Sequence, residues 1–250
     1  MELRRNLALP NPLYFKMLIS KILLSLSWAV SWAMACAPDP SNPLDGLFEV
    51  GQDGPAPSET LGYFINHVGL LTTNLDPLKH FYRDILGMRL IFDVHLTDEF
   101  TITYLGHVQG GRNGTGFQTG EELNRDKNNL AGLLEIVTFN VSDDKPLGST
   151  KRTNTFGHIG LIVPDIVKAQ DYLISKGVEI LKPYGEPIET FTGPVNNAFG
   201  IGEYAGAHVA AKQKLMEAQG MIGLPLLLMI ADPDGNLIEI QQQEQPVGVL

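Results

Sequence analysis

The chain has 250 residues, a formal net charge of −10 and 44% hydrophobic residues, which is an ordinary composition for a globular protein. An acidic chain lacks the basic surface that neutralises phosphates, so we expect no nucleic-acid partner. Its single cysteine, Cys36, excludes an internal disulfide and a cysteine-rich zinc module. Any metal ion must therefore be held by histidine and carboxylate side chains.

The N-terminal segment is typical of a secretory signal peptide. Residues 22–37 form an uncharged, mostly apolar run that ends in small residues. We predict a signal peptide over 1–37 and a secreted, extracellular protein without stable membrane association after cleavage. A signal anchor is the alternative, although the run is shorter than the roughly 20 residues that span a bilayer. Met17 would open a more compact signal than Met1, so both start sites remain open.

Residues 38–62 have the composition of a linker, because they are rich in Pro, Asp, Gly and Ser. Folded sequence is predicted over 63–243. Two N-x-S/T sequons become glycosylation sites if the protein is secreted, namely Asn113 and Asn140. Asn113 lies in a Gly-rich polar stretch and is the better exposed of the two, whereas Asn140 follows an apolar strand pattern.

An internal repeat organises the folded part. The segment 66–71 (NHVGLL) recurs as 157–162 (GHIGLI), with the two histidines 91 positions apart. Each segment is followed by a helical pattern that begins after an Asp and ends at a Gly, and then by three strand patterns. This predicts an α+β fold of two βαβββ modules, at about 63–142 and about 155–243, that pair into an eight-stranded cup.

Two insertions interrupt the modules. The first, about 109–129, is polar and Gly-rich, and we predict a mobile surface loop there. The second lies between Gly185 and Gly223, and its residues 203–218 favour a helix. It enters just before the last hairpin, where a lid over the cup would be placed.

Five short motifs occur along the chain in a fixed order. They are Phe64-Ile65-Asn66-His67, Phe81-Tyr82 with Leu86-Gly87-Met88, Gly132-Leu133-Leu134-Glu135, Phe156-Gly157-His158-Ile159-Gly160 and Asp232-Pro233-Asp234-Gly235-Asn236-Leu237-Ile238-Glu239-Ile240. In these motifs the chain resembles the vicinal-oxygen-chelate superfamily and, within it, glyoxalase I (lactoylglutathione lyase). The resemblance covers residues 63–243. It implies the glyoxalase/bleomycin-resistance fold with a metal site inside the cup.

The resemblance implies four metal ligands, two from each module: His67, Glu135, His158 and Glu239. Elementary electrostatics agrees, since both glutamates lie in apolar strand patterns where an unpaired charge is costly to bury. Two imidazoles and two carboxylates suit zinc or nickel, with iron as a further candidate, far better than calcium. The alternative interpretation places each glutamate toward solvent and each histidine in the core. The other histidines have no repeated counterpart and receive no ligand role: His80, His95, His107 and His208.

The resemblance also implies the class of reaction that the protein catalyses. It is that of a metal-dependent lyase or isomerase acting on a small vicinal-oxygen compound, 2-oxoaldehyde-like or hydroxy-carbonyl, through an enediolate. Glu239 would be the principal base, with Glu135 as the opposing ligand and second base. Two alternatives remain open: an Fe(II) ring-cleaving dioxygenase-like enzyme and a non-catalytic small-molecule-binding module of the same fold. The expected partners are a small-molecule substrate and a second copy of the chain in a homodimer, although the sequence does not fix the oligomeric state.

The sequence departs from the family where glyoxalase I holds glutathione. Leu71 and Asn154 stand where the family usually has arginines, and Phe139 replaces an asparagine. Only Lys182 matches a family position that contacts this substrate, so it is the predicted substrate-binding residue. Losing two cations and an amide removes charge-assisted contacts to an anionic peptide, which argues against glutathione dependence. Lys151 and Arg152 are the neighbouring cations that could replace them.

Overall fold

The two copies of the repeat fold as the sequence predicts, each as a strand, a helix and three further strands. The computed structural model describes residues 51, 53–111 and 114–244. Module one contains β1 (His67–Thr72), β2 (Arg89–His95), β3 (Phe100–Gly106) and β4 (Leu133–Phe139). Module two contains β5 (His158–Val163), β6 (Ile180–Lys182), β7 (Leu228–Ala231) and β8 (Leu237–Gln242).

Each module carries one helix after its first strand. Helix α1 (Leu75–His80) continues as a π-helical turn over Phe81–Ile85, and α3 (Ile166–Ser175) is its counterpart in module two. The side chain of Asp165 accepts a hydrogen bond from the Lys168 backbone N–H and so caps α3. Gly87 and Gly177 follow the two helices with φ of 78° and 75°, a conformation that favours glycine. The predicted helix ends are therefore confirmed to within a few residues.

The strands form two four-stranded mixed sheets, ordered β1-β4-β3-β2 and β5-β8-β7-β6. In each sheet the first and last strands of the module pair in parallel and the other pairs are antiparallel. The predicted α+β class with paired βαβββ modules is confirmed. In the described residues the eight strands divide into these two sheets, one from each module.

The faces that carry the helices pack together into one core. Leu70, Leu134 and Ile136 come from module one, and Leu228, Ile230 and Ile238 come from module two. The core also contains Tyr82, whose phenol donates a 2.9 Å hydrogen bond to Asp232 Oδ2 in the other module. Because side chains alternate along a strand, the residues one position away lie on the opposite faces of the sheets.

The first insertion is more ordered than the sequence analysis predicted. It contains α2 (Gly120–Asp126), which begins with a capping box between Thr119 and Glu122. Leu123 of this helix is fully buried against Leu133. The prediction of a mobile loop over 109–129 is therefore wrong for the helical part. The T-x-x-E spacing at residues 119–122 was the signal for it.

The second insertion contains two helices. These are α4 (Pro194–Ala198), which was not predicted, and α5 (Val209–Ala218), which lies inside the helix predicted over 203–218. A 3₁₀ turn at Glu203–Ala205 replaces the start of that predicted helix. None of the helices in the described part of the chain is long and apolar enough to cross a membrane. The predicted signal peptide lies outside the described residues.

Candidate functional site: two histidine–glutamate pairs

Module one brings His67 and Glu135 together through the parallel pairing of β1 and β4. The register places His67 opposite Leu133 and Gly69 opposite Glu135, so the two polar side chains share one face. His67 Nε2 lies 3.0 Å from Glu135 Oε2. Both side chains are partly exposed, which leaves the pair accessible from outside the module.

Module two repeats this arrangement. The register of β5 and β8 places His158 opposite Leu237 and Gly160 opposite Glu239. His158 Nε2 lies 3.7 Å from Glu239 Oε2. Glu239 is only 9% exposed, and its Oε1 accepts a 2.9 Å hydrogen bond from Gln241 Nε2. The buried carboxylate that the sequence predicted is therefore present, without a lysine or arginine among its hydrogen-bond and ion-pair partners in the described residues.

The four side chains do not form one cluster within the chain. In residues 51, 53–111 and 114–244, no group of three or more His, Cys, Asp or Glu side chains lies close enough to hold one metal ion. The expectation that one chain closes the four-ligand centre is thus corrected. The physical reason is the shared core: the modules pack through their helical faces, and the two pairs lie on the opposite faces.

Two neighbours of His67 were not predicted as site residues. Asn66 Oδ1 lies 2.9 Å from Nδ1 of the His67 ring. The Tyr104 phenol oxygen lies 3.4 Å from His67 Nε2, and the two rings meet edge to face. Burial and the nearby Glu135 carboxylate raise the pKa of Tyr104. Tyr104 faces Glu135 across β3 and β4, a relation that only the strand register reveals.

The second insertion packs beside the module-two pair. Phe199, which follows α4, meets the His158 ring edge to face at 5.7 Å between centroids. Val195 and Ala198 of α4 pack with Met229 and Leu237, which lie on the same face as Glu239. The insertion thus forms a wall of this site, next to the position predicted for a lid.

Lys182, the predicted substrate-binding residue, is held by backbone carbonyl groups. Its side chain is buried, with 3% of the residue exposed. Its Nζ donates hydrogen bonds to the carbonyl oxygens of Pro183, Pro225 and Leu227 at 3.0, 3.0 and 2.6 Å. Burial lowers the pKa of Lys182 to about 8. All three N–H groups of the ammonium are therefore used to hold the ends of the second insertion, and none is available for a substrate.

The positions that depart from the glutathione-binding pattern are on the surface. Leu71 is 63% exposed and Phe139 is 46% exposed, and both lie on the face that carries His67. Asn154 is also exposed. Lys151 and Arg152 are exposed cations, and the Arg152 guanidinium lies over the Tyr204 ring at 5.4 Å. Nothing in these contacts replaces the missing family arginines at their own positions.

The remaining predicted residues fall in ordinary surroundings. His80 Nδ1 lies 2.9 Å from Asp84 Oδ2 on an exposed helix face, and His95 Nδ1 lies 3.1 Å from Thr101 Oγ1. His107 is partly buried, and burial lowers its pKa. Asn140 is exposed in the turn after β4, as a glycan acceptor must be. Asn113 lies outside the described residues.

Comparison with known proteins points to one superfamily. The sequence profile of the glyoxalase/bleomycin resistance protein/dioxygenase superfamily matches residues 64–201. A lactoylglutathione lyase of Schizosaccharomyces pombe is 32% identical over 127 residues, which is 48% of this chain and 39% of that protein. A probable lactoylglutathione lyase of Synechocystis sp. is 26% identical over 181 residues, covering 72% of this chain and 95% of the relative. The chain thus spans well under half of the yeast protein.

Solved structures with a similar fold include two glyoxalase I enzymes. The trypanothione-dependent glyoxalase I of Leishmania major has 16% sequence identity and a TM-score of 0.41, covering 73% of this chain and 88% of its own. Glyoxalase I of Zea mays has 19% identity and a TM-score of 0.43, covering 72% of this chain and 45% of its own.

Proposed function

The chain belongs to the glyoxalase/bleomycin resistance protein/dioxygenase superfamily, and we propose that it is a metal-dependent lyase or isomerase of the glyoxalase I type. Its substrate is a small compound with two adjacent oxygens. The observation that carries the proposal is the repeated histidine–glutamate pair, found at equivalent register positions of β1/β4 and β5/β8. A repeated pair is unexpected for unrelated surface residues, because each member would have to recur in both modules.

The donor atoms of each pair fit a divalent metal ion. Two atoms that bind one ion at about 2.0 to 2.2 Å can be at most about 4.4 Å apart. The Nε2–Oε2 separations of 3.0 Å and 3.7 Å satisfy this limit. Imidazole with carboxylate suits zinc, nickel or iron. Binding an ion would also compensate the charge of the nearly buried Glu239.

A complete four-ligand site requires module one of one chain and module two of another. The two pairs lie on faces that point away from the shared core of a single chain. Exposed apolar side chains occupy those same faces, among them Leu71, Phe139 and Ile162. Such exposed apolar residues favour a protein contact. A two-fold homodimer would build two equivalent sites, each with His67 and Glu135 from one subunit and His158 and Glu239 from its partner.

The residues have distinct roles in this proposal. The metal ion, when bound, supplies Lewis acidity that makes a C–H next to a chelated carbonyl easier to deprotonate. Glu239 takes and returns the proton, since its carboxylate is nearly buried and Gln241 restrains only one of its oxygens. Glu135 is the opposing carboxylate. Phe199 limits the space beside His158 and favours a compact substrate.

The substrate class follows from the site's polar groups. The relatives named lactoylglutathione lyase suggest a glutathione adduct. The buried Lys182 and the apolar Leu71 and Phe139 leave few groups to bind its carboxylates. A 2-oxoaldehyde-like or hydroxy-carbonyl compound without a peptide is therefore the substrate we propose.

The enzymatic part of the proposal is tested with metal-reconstituted protein and a panel of 2-oxoaldehydes and hydroxy-carbonyl compounds. Glu239→Gln keeps the side-chain shape and an oxygen ligand but removes the base, so turnover should fall more than metal content. Zinc or nickel in the purified protein supports the lyase. Iron with oxygen consumption would point to the dioxygenase alternative, and metal-loaded protein without any turnover would contradict the proposal.

Subunit sharing is tested by mixing two inactive variants. In a shared site, a dimer of one His67→Ala chain and one His158→Ala chain contains one intact site and one doubly altered site. Random reassociation of equal amounts should therefore restore about a quarter of wild-type activity in a two-fold dimer. Each variant alone should be inactive. Failure to recover activity, in dimers shown to have exchanged subunits, would place each site within one chain.

A further inference from the structure

Each ring nitrogen of His67 faces an oxygen that accepts hydrogen bonds, and the Tyr104 hydroxyl lies 3.5 and 3.4 Å from Nδ1 and Nε2. Nε2 faces Glu135 Oε2 at 3.0 Å. Nδ1 faces Asn66 Oδ1 at 2.9 Å. A neutral imidazole carries one N–H, so whichever ring nitrogen holds the proton leaves the other as a lone-pair donor. Because Glu135 could also accept an N–H from Nε2, the acceptor at Nδ1 is what favours the tautomer that leaves Nε2 available to a metal ion.

The orientation of the Asn66 amide is fixed by the backbone around it. Its Nδ2 group donates to the carbonyl oxygens of Lys127 and Leu130 at 2.8 and 2.6 Å. Turning the amide over would direct Oδ1 at these two carbonyl oxygens and lose both hydrogen bonds. The oxygen of Asn66 must therefore point to His67, where it can only accept. It follows that Nδ1 is the protonated nitrogen whenever Asn66 makes this contact.

We propose that Asn66 is a positioning residue that holds the proton of His67 on Nδ1 and so presents Nε2 to the metal ion. The inference rests on the proposed function, because it concerns the orientation of a ligand of that metal. Asn66 would act through His67 and not touch the ion. Hydrogen bonds of this kind fix the tautomer and ring orientation of metal-binding histidines, and losing one typically costs 10- to 100-fold in metal affinity.

Module two has no equivalent side-chain acceptor before its histidine. Gly157 occupies the position equivalent to Asn66 and has no side chain to accept from His158. The His158 ring instead meets Phe199 edge to face. The two histidines of the repeat are therefore supported differently, and the tautomer of His67 alone should depend on the residue that precedes it.

Asn66 has two functions that a single deletion would confuse, because its amide also anchors the segment at Lys127 and Leu130. A pair of variants separates them. Asn66→Ala removes the acceptor for His67 and both anchoring donors. Asn66→Asp keeps an acceptor for His67 but cannot donate to the two carbonyls. Asn74→Ala is the matched control, since Asn74 is exposed beyond the other end of β1 and its side chain does not cap α1.

The readouts are Zn²⁺ affinity, measured by competition with a chromophoric chelator, and the ¹H–¹⁵N signal of His67 Nδ1–H in the Zn²⁺-loaded protein. We expect Asn66→Ala to bind Zn²⁺ about 10- to 100-fold more weakly and to lose the slowly exchanging Nδ1–H signal. Asn66→Asp should keep the signal and bind at least as tightly as wild type. Thermal unfolding should be shifted alike in both variants, and Asn74→Ala should match wild type in every respect.

Two results would overturn the inference alone. One is wild-type Zn²⁺ affinity in Asn66→Ala. The other is equal weakening in Asn66→Ala and Asn66→Asp, which would mean that anchoring the 127–130 segment is what matters. A wild-type protein that binds no Zn²⁺ would refute the proposed function and this inference with it.

Discussion

Lys182 allows a direct test of how the second insertion is held in place. Replacing it with methionine keeps the apolar stem but removes three donors, which leaves the carbonyl oxygens of Pro183, Pro225 and Leu227 without this partner. A net hydrogen bond is worth about 1 kcal/mol, and a buried group left unsatisfied costs more. We therefore expect the free energy of unfolding of Lys182→Met to fall by about 2 to 4 kcal/mol.

The assay is thermal or urea unfolding followed by circular dichroism, with activity measured on the same preparations. For a domain of this size the melting temperature should fall by roughly 5 to 15 °C. Lys168→Met is the matched control, because the Lys168 side chain is 84% exposed and pairs only at the surface with Asp165. Its unfolding transition should coincide with that of wild type, because a pair of exposed charges contributes little to stability.

The pH dependence of the unfolding free energy is a second test of the burial of Lys182. Burial lowers the folded-state pKa of Lys182 to about 8 from 10.5, so the unfolded chain binds more protons between these values. Wild-type stability should therefore rise with pH across this window relative to Lys182→Met. If Lys182→Met has the melting temperature of wild type but a raised KM, then Lys182 contacts the substrate as the sequence predicted. In that case its hydrogen bonds to the three carbonyl oxygens do not stabilise the fold.

Three further predictions follow from the fold and the site. Tyr82→Phe removes the hydrogen bond to Asp232 between the modules and should cost about 1 to 2 kcal/mol of unfolding free energy, whereas Tyr172→Phe, at a half-exposed tyrosine, should cost less. Turnover of the glutathione–methylglyoxal hemithioacetal by metal-loaded protein should be weak or absent, and rates typical of glyoxalase I would contradict this. Expression in a secreting host should release into the culture medium a protein that begins near residue 38 and carries a glycan at Asn113, as mass spectrometry can show. A protein that stays inside the cell with residues 22–37 attached would contradict this prediction.

The repeat made most of the fold predictable. Because His67 and His158 stand 91 positions apart with matching helix ends, the sequence indicates two copies of one module and the order of their strands. The alternation of a strand then places each histidine and its glutamate on one face once the two strands pair in parallel. The choice of these four residues came from the resemblance to the vicinal-oxygen-chelate superfamily, and strand order then accounts for their pairing on one face of each sheet.

The arrangement of the modules could not be predicted in the same way. A repeat does not say through which face its copies pack, and both faces of these sheets carry apolar residues. The modules share an apolar core, and the hydrogen bond between them joins Tyr82 to Asp232, 150 positions apart, without a local signature in the sequence. The contacts of Lys182 could not be predicted for a similar reason, because its three acceptors are backbone carbonyls, which every residue type possesses. The capping box at Thr119 and Glu122 was readable, and it was missed because the surrounding segment is polar.

The metal content of purified protein shows whether His67, Glu135, His158 and Glu239 bind one shared ion. Elemental analysis should find about one divalent ion per chain in wild type and in His80→Ala, whose ring lies on an exposed helix face. His67→Ala and His158→Ala should each lose most of the metal, and to a similar extent, because each removes one ligand of the same centre. Wild-type protein without metal, or a loss confined to one of the two histidine variants, would mean that these four residues do not share one ion.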